Sequence, residues 1–137
     1  VLVPAALTEE LLFRGYPFLV LQESAGTWPA LLLTSAVFGL VHAQNPNASP
    51  AFVLVVAGAG IFLGAVRLAT GSLWAAFAAH LAWNFALTGV LHAAVSGAAF
   101  PTPGYRVVDA GPDWLTGGAW GPEGGAGAVA GMLAATW

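Results

Sequence analysis

At 137 residues, with 58% hydrophobic and 7% charged side chains and a mean hydropathy of +0.81, the chain reads as an integral membrane protein; a soluble domain carries ~25% charged residues. A net charge of −3 with no lysine leaves no basic surface for nucleic acid. The absence of cysteine excludes disulfide scaffolds, thiol nucleophiles and thiolate metal sites.

The length allows one domain of four or five spans, at ~20 residues each. The expectation is an all-α polytopic transmembrane bundle, about four spans plus a partial C-terminal helix, forming one membrane-embedded domain over residues 1–137. Val1 is preceded by no initiator methionine and followed by no basic n-region. The chain is therefore expected to be the C-terminal part of a longer membrane protein, its first segment not a signal peptide. Its partner on every side is the lipid bilayer.

The first helix is predicted over residues 2–22, bent at Pro17, whose ring removes an internal hydrogen bond. Within it stand Glu9, Glu10 and Arg14, three of the nine formal charges of the chain inside six positions. A charge at bilayer depth costs roughly 2.5–3.5 kcal/mol on insertion scales, so it persists mainly where it pairs, lines a cavity or does chemistry. Glu10 and Arg14 are spaced i, i+4 and can pair on one face. Glu9 points about 100° away from Glu10 at ~3.6 residues per turn and has no local partner. That unpaired carboxylate is the strongest functional signal in the sequence.

Glu23 to Thr27 read as a polar turn. The second helix opens with Thr27 as cap and Pro29 near its first turn, and ends around His42–Gln44 before Asn45-Pro46-Asn47. The third covers residues 50–68, capped by Ser49, and contains Gly60-x-x-x-Gly64, a spacing that lets a neighbouring backbone approach closely. Gly71 stops it, and Ser72 is expected to cap a fourth helix over 73–95. Residues 97–122, rich in Gly and Pro, read as an interfacial loop, followed by a last helix opening at Pro122-Glu123. Asp113 and Glu123 are expected to be interfacial loop and helix-start residues, and Trp28, Trp74, Trp114 and Trp120 to sit at the membrane interface. Arg67 and Arg106 fall at opposite sets of helix ends, so the positive-inside count is a tie.

Three helices carry further polar groups. Counting ~1.5 Å of rise per residue from one membrane face puts Glu9 and His42 ~20 Å deep, Asn84 ~16–18 Å and His80 ~10–12 Å. His80 and Asn84 are i, i+4 and share a face. Glu9 and the His42 imidazole are thus expected within roughly 3–6 Å, reach enough for a bridging water. His92 lies ~18 Å along the axis from His80 and is given no catalytic role.

A carboxylate, two imidazoles and an amide suit water-mediated cleavage of an amide bond. The carboxylate can take a proton from a water that one histidine positions. A second histidine and an asparagine can donate to the developing oxyanion. The same side chains could instead hold a divalent metal through Glu9, His42 and His80.

Glu9-Glu10-x-x-x-Arg14, Phe38-x-x-x-His42 and His80-x-x-x-Asn84, in this order on separate apolar helices, resemble the motifs of the CAAX-protease and bacteriocin-processing family of intramembrane proteases. The contexts E-E-L-L-F-R-G-Y, F-G-L-V-H, T-G-S-L-W and A-H-L-A-W-N agree, and the tail T-G-G-A-W-G-P-E-G is similar to a segment of bacterial members. The resemblance implies an intramembrane endopeptidase in the bacterial cytoplasmic membrane, acting on a membrane-associated peptide or protein. It makes Glu9 the general base with His42 assisting, His80 and Asn84 the oxyanion site, and Glu10, Arg14 and Phe38 supporting residues. Members have been described as metalloproteases and as metal-free glutamate proteases. The residues themselves favour a water activated without metal, because Glu10 is expected to be engaged by Arg14 and so not free to back a zinc-bound histidine, although zinc stays possible. The rival readings are a non-catalytic immunity or scaffold protein of the same fold and, more weakly, an ion-coupled transporter, for which the usual internal repeat is missing.

Overall fold

The computed structural model describes residues 1–100, 104–105 and 107–135. Part of the loop expected over 97–122, including Arg106, lies outside the described residues. The described chain is all helical: α1 (Leu2–Arg14), α2 (Tyr16–Ala25), α3 (Thr27–Val41), α4 (Pro50–Thr70), α5 (Leu73–Phe85), a short α6 (Asp113–Thr116) and α7 (Ala126–Ala134). Among the described residues, strand-type pairing is limited to one bridge between Val95 and Ala98.

The single bent helix expected over residues 2–22 is two helices. Gly15 leaves helical geometry (φ −85°, ψ −136°), and Pro17 enters at the start of α2 rather than bending a continuous rod. A proline there sacrifices no hydrogen bond, because the first N–H groups of a helix have no internal partner. Thr27 is the first residue of α3 rather than its cap. Gly26 at φ 93° takes that place, and Thr27 Oγ1 accepts from Gln22 Nε2 at 3.2 Å.

α4 begins as its sequence predicts, with the Phe52 N–H donating to Ser49 Oγ at 3.3 Å, and it ends at Gly71 with φ 65°. Ser72 caps nothing with its side chain; its N–H donates to Thr70 Oγ1 at 3.2 Å. After Phe85 the chain loosens into a π-helical stretch (Ala86–Val90) and leaves helical form before 95, with His92 and Ser96 at positive φ.

Among the described residues, Pro50–Thr70 and Leu73–Val90 are the two helices long and apolar enough to cross a membrane unbroken, where about four spans were expected. The reason is continuity. The break at Gly15 leaves α1 and α2 with 13 and 10 residues, and α3 has 15, against the ~20 needed for a hydrocarbon core of ~30 Å.

The outer faces are apolar: Leu12, Leu32, Leu40, Leu54, Trp74 and Phe85 are exposed. The interior holds Glu10, Arg14, Ser35, His42, His80 and Asn84. Apolar outside and polar inside is the arrangement of a protein solvated by lipid. α3 packs most closely on α4, where Gly60 and Gly64 present bare backbone. A Cβ on Gly60 would lie 3.0 Å from the Ser35 backbone, and one on Gly64 would strike Leu31. Trp28, Trp74 and Trp114 are exposed, but Trp120 is wholly buried and stacked on Phe52 of α4 at 5.6 Å. The turns around Trp120 fold the indole inward, so it is core rather than interface.

Candidate active site

α1 supplies two carboxylates at right angles. Glu10 is fully buried, and its Oε1 accepts from Arg14 Nη1 at 3.1 Å across one helical turn. Arg14 Nη2 donates to the Gly60 carbonyl at 3.0 Å, and its guanidinium lies 4.3 Å from the centre of the Phe38 ring. The same Glu10 Oε1 also accepts from His80 Nδ1 on α5 at 2.8 Å. The expectation that Arg14 occupies Glu10 alone is therefore corrected: one carboxylate oxygen has two lone pairs, and Glu10 uses them on two helices at once.

His42 ends α3, and its Nδ1 donates to the Phe38 carbonyl at 2.7 Å, one turn back. Phe38 packs against both imidazoles, 4.7 Å from His42 and 6.1 Å from His80, centre to centre. Each Nδ1 meets a pure acceptor and so carries its hydrogen. In its neutral form each ring then presents a lone pair at Nε2.

Those two lone pairs point at Glu9. Glu9 Oε2 stands 3.9 Å from His42 Nε2 and 3.8 Å from His80 Nε2, inside the roughly 3–6 Å of the depth count. It is buried without a hydrogen-bond partner. Three acceptor atoms around one space require a donor between them. A water at ~2.8 Å from two atoms so spaced subtends about 90°, which its geometry permits.

His42, His80, Asn84 and Phe38 line a cavity of about 370 Å³, whose remaining walls are mostly apolar. Glu9 is not in that lining and bears on the cavity through the two imidazoles. Among the described residues the Asn84 carboxamide has no partner, while its backbone carbonyl accepts from Thr88 Oγ1 at 2.7 Å. His92 is elsewhere, stacked on Tyr105.

Zinc sets a stricter geometry on the same side chains. Anchored Nδ1–H groups are what ligating histidines have. The separations of 3.8 and 3.9 Å exceed the ~3.3–3.5 Å edge of a tetrahedron with bonds of ~2.0–2.2 Å. Among the described residues no group of three His, Cys, Asp or Glu side chains is placed to hold a metal ion. As arranged, Glu9, His42 and His80 do not fit the metal.

Sequence reasoning missed Glu123. It lies in a 3-10 turn (Pro122–Gly124) just ahead of α7, and from there it lines the same cavity as Asn84, with Trp83 and Ser96 both donating to it. The available signal was an acid inside the Gly-rich tail, in a chain with few charges.

A buried, carboxylate-anchored histidine facing a second carboxylate in an apolar helical bundle defines a membrane protein equipped for acid–base chemistry on a bound substrate. The chain belongs to the Rce1-like family: residues 1–86 match the family described as type II CAAX prenyl endopeptidase Rce1-like. That family is membrane-embedded and proteolytic. No match to the chain was found among curated proteins or among solved structures.

Proposed function

We propose that the protein is an intramembrane endopeptidase that hydrolyses a peptide bond of a membrane-associated substrate of CAAX or leader-peptide type, through a water activated by Glu9 without a resident metal. The observation that carries the reading is the convergence of Glu9 Oε2, His42 Nε2 and His80 Nε2 within 3.9 Å, from three helices, on an oxygen that has no partner. The water donates one proton toward Glu9 and the other toward His42 Nε2, and its oxygen attacks the scissile carbonyl. The oxyanion accepts from the Asn84 amide and from His80 Nε2. His80 donates there as an imidazolium formed by the proton that Glu9 took from the water and relayed to Nε2, its positive charge balanced by Glu10 beneath Nδ1, and it returns that proton to Glu9 as the oxyanion collapses. Glu9 then passes its proton to the leaving amine, and the tetrahedral carbon collapses to the acid.

In the same proposal the broken pair α1–α2 and the short α3 complete the bundle as two further crossings, in a bacterial cytoplasmic membrane. The test is to present a library of membrane-anchored peptides to the full-length protein beside Glu9→Ala. Cleavage by the parent alone is the expected result, and cleavage by neither or by both counts against the reading.

A further inference from the structure

Glu123 lies outside the family match and on the wall of the same cavity as His42, His80 and Asn84. Both oxygens of its carboxylate are engaged. Oε1 accepts from both the backbone N–H and the hydroxyl of Ser96, the latter at 2.6 Å, and Oε2 accepts from Trp83 Nε1 at 3.3 Å. Ser96 in turn offers its carbonyl to Asn45 Nδ2 at 3.1 Å, three residues beyond His42. One side chain thus joins the turn that follows His42 to the residue that precedes Asn84. We infer that Glu123 is a positioning residue for the proposed hydrolysis: through the Trp83 indole it sets the direction in which α5 presents the Asn84 carboxamide.

Two further observations support it. The first is the weakness of α5 just beyond Asn84. From Ala86 to Val90 the helix is π-type, and the Leu91 N–H reaches back five residues to the Ala86 carbonyl. A widened ladder holds the preceding turn less firmly than a continuous α-helix, and such stretches gather at functional sites. Lateral ties then decide how that turn is rotated. Trp83, adjacent to Asn84, has its tie in Glu123.

The second is the construction of the tail. Gly117, Gly118 and Gly121 all adopt positive φ, and a Cβ on Gly121 would strike the Ala94 carbonyl. The Gly97 N–H donates to the Trp120 carbonyl at 2.9 Å, and the buried Trp120 ring rests on Phe52. T-G-G-A-W-G-P-E-G therefore folds as a bracket that turns Glu123 toward α5. An acid serving only the dipole of α7 would sit in its first turn, and that helix starts at Ala126.

The inference rests on the peptidase reading, and its test separates the two. Full-length protein with ¹⁵N-tryptophan is prepared in bicelles as wild type, Glu123→Ala, Trp83→Phe, Asn84→Ala and the Glu123→Ala/Asn84→Ala pair. The Trp83→Phe spectrum identifies the Trp83 indole resonance. Glu123→Ala should move that resonance upfield, as an N–H that has lost an anionic acceptor does. Against a peptide cleaved by wild type, Glu123→Ala and Trp83→Phe should each lower kcat about tenfold with KM changed by no more than about twofold. Trp83→Phe removes the N–H with two ring carbons and keeps an aromatic side chain, so it holds the test open if Glu123→Ala folds poorly. In the Asn84→Ala background, Glu123→Ala should lower kcat no further, because the group it positions is already gone. Losses that multiply, an unmoved indole resonance, or wild-type turnover in Trp83→Phe overturn the inference while an inactive Glu9→Gln leaves the peptidase reading intact. Wild-type turnover in Glu9→Gln overturns both.

Discussion

Glu10→Gln tests whether the second carboxylate acts through charge. The side chain is wholly buried, and its Oε1 accepts at 3.1 Å from a guanidinium that is itself 1% exposed. Glutamine preserves the volume and one carbonyl acceptor but removes the charge, leaving Arg14 with the Gly60 carbonyl and the Phe38 ring. Breaking a buried pair by removing one partner costs about 3–5 kcal/mol. Retention of an acceptor places the expected loss near the lower bound, about 3 kcal/mol, which is more than a hundredfold in the unfolding constant. The new amide nitrogen also replaces Glu10 Oε2, already buried without a partner, so that position neither gains nor loses a bond. Unfolding of purified protein in mixed micelles by a denaturing detergent gives the comparison. The double variant Glu10→Gln/Arg14→Met removes the stranded cation and should recover most of the loss, since a neutral interior tolerates the absence of both charges better than of one. A loss below about 1 kcal/mol in the single variant, or a double variant that loses the sum of the singles, would refute the argument that a buried charge pair stabilises this helix junction.

Glu9→Gln keeps shape but cannot take a proton, so turnover should fall by ~10² or more while thermal unfolding matches wild type. Asn84→Ala removes one donor to the oxyanion and should lower kcat by about 10²–10³, read under the same assay with folded protein quantified by gel filtration. Elemental analysis of active protein should find no stoichiometric zinc, and chelation should leave turnover unchanged. One tightly held zinc per chain, with activity lost on chelation and restored by zinc, would displace the metal-free mechanism.

The grouping of Glu9, His42, His80 and Asn84 was legible because each sits on a helix. Rise and rotation per residue convert sequence position into depth and face. The 3.9 Å between Glu9 and His42 falls in the range of that count, but His80, which the count put several ångströms shallower than Glu9, stands 3.8 Å from it. What escaped it lacked periodicity. Nothing in the apolar pattern distinguishes a bend at Pro17 from a break at Gly15, because both residues fit the start of a second helix. The reach of Glu123 to Trp83 crosses 40 residues and depends on backbone angles at Gly117, Gly118 and Gly121. Such turns are set by local torsions and not by a repeat in hydrophobicity. Trp120 was misplaced for the same reason.

The two histidines of the site are not interchangeable, and the difference lies beneath the rings rather than at their working edge. Both present Nε2 to the same Glu9 oxygen at nearly equal distance. Under His42 the Nδ1–H meets a neutral carbonyl of its own helix; under His80 it meets the carboxylate of Glu10. A carbonyl fixes a tautomer but does little for a positive ring, whereas a carboxylate in a low-dielectric interior stabilises one. Arg14 restrains this effect by drawing on the same Glu10 oxygen, so that the His80–Glu10–Arg14 row holds two potential cations around one anion. In the proposed mechanism His80 is therefore the ring assigned to donate to the substrate oxyanion. On that proposal the adjacent pair at the head of the first motif divides the labour: Glu9 acts on the water, and Glu10 backs His80 through Nδ1.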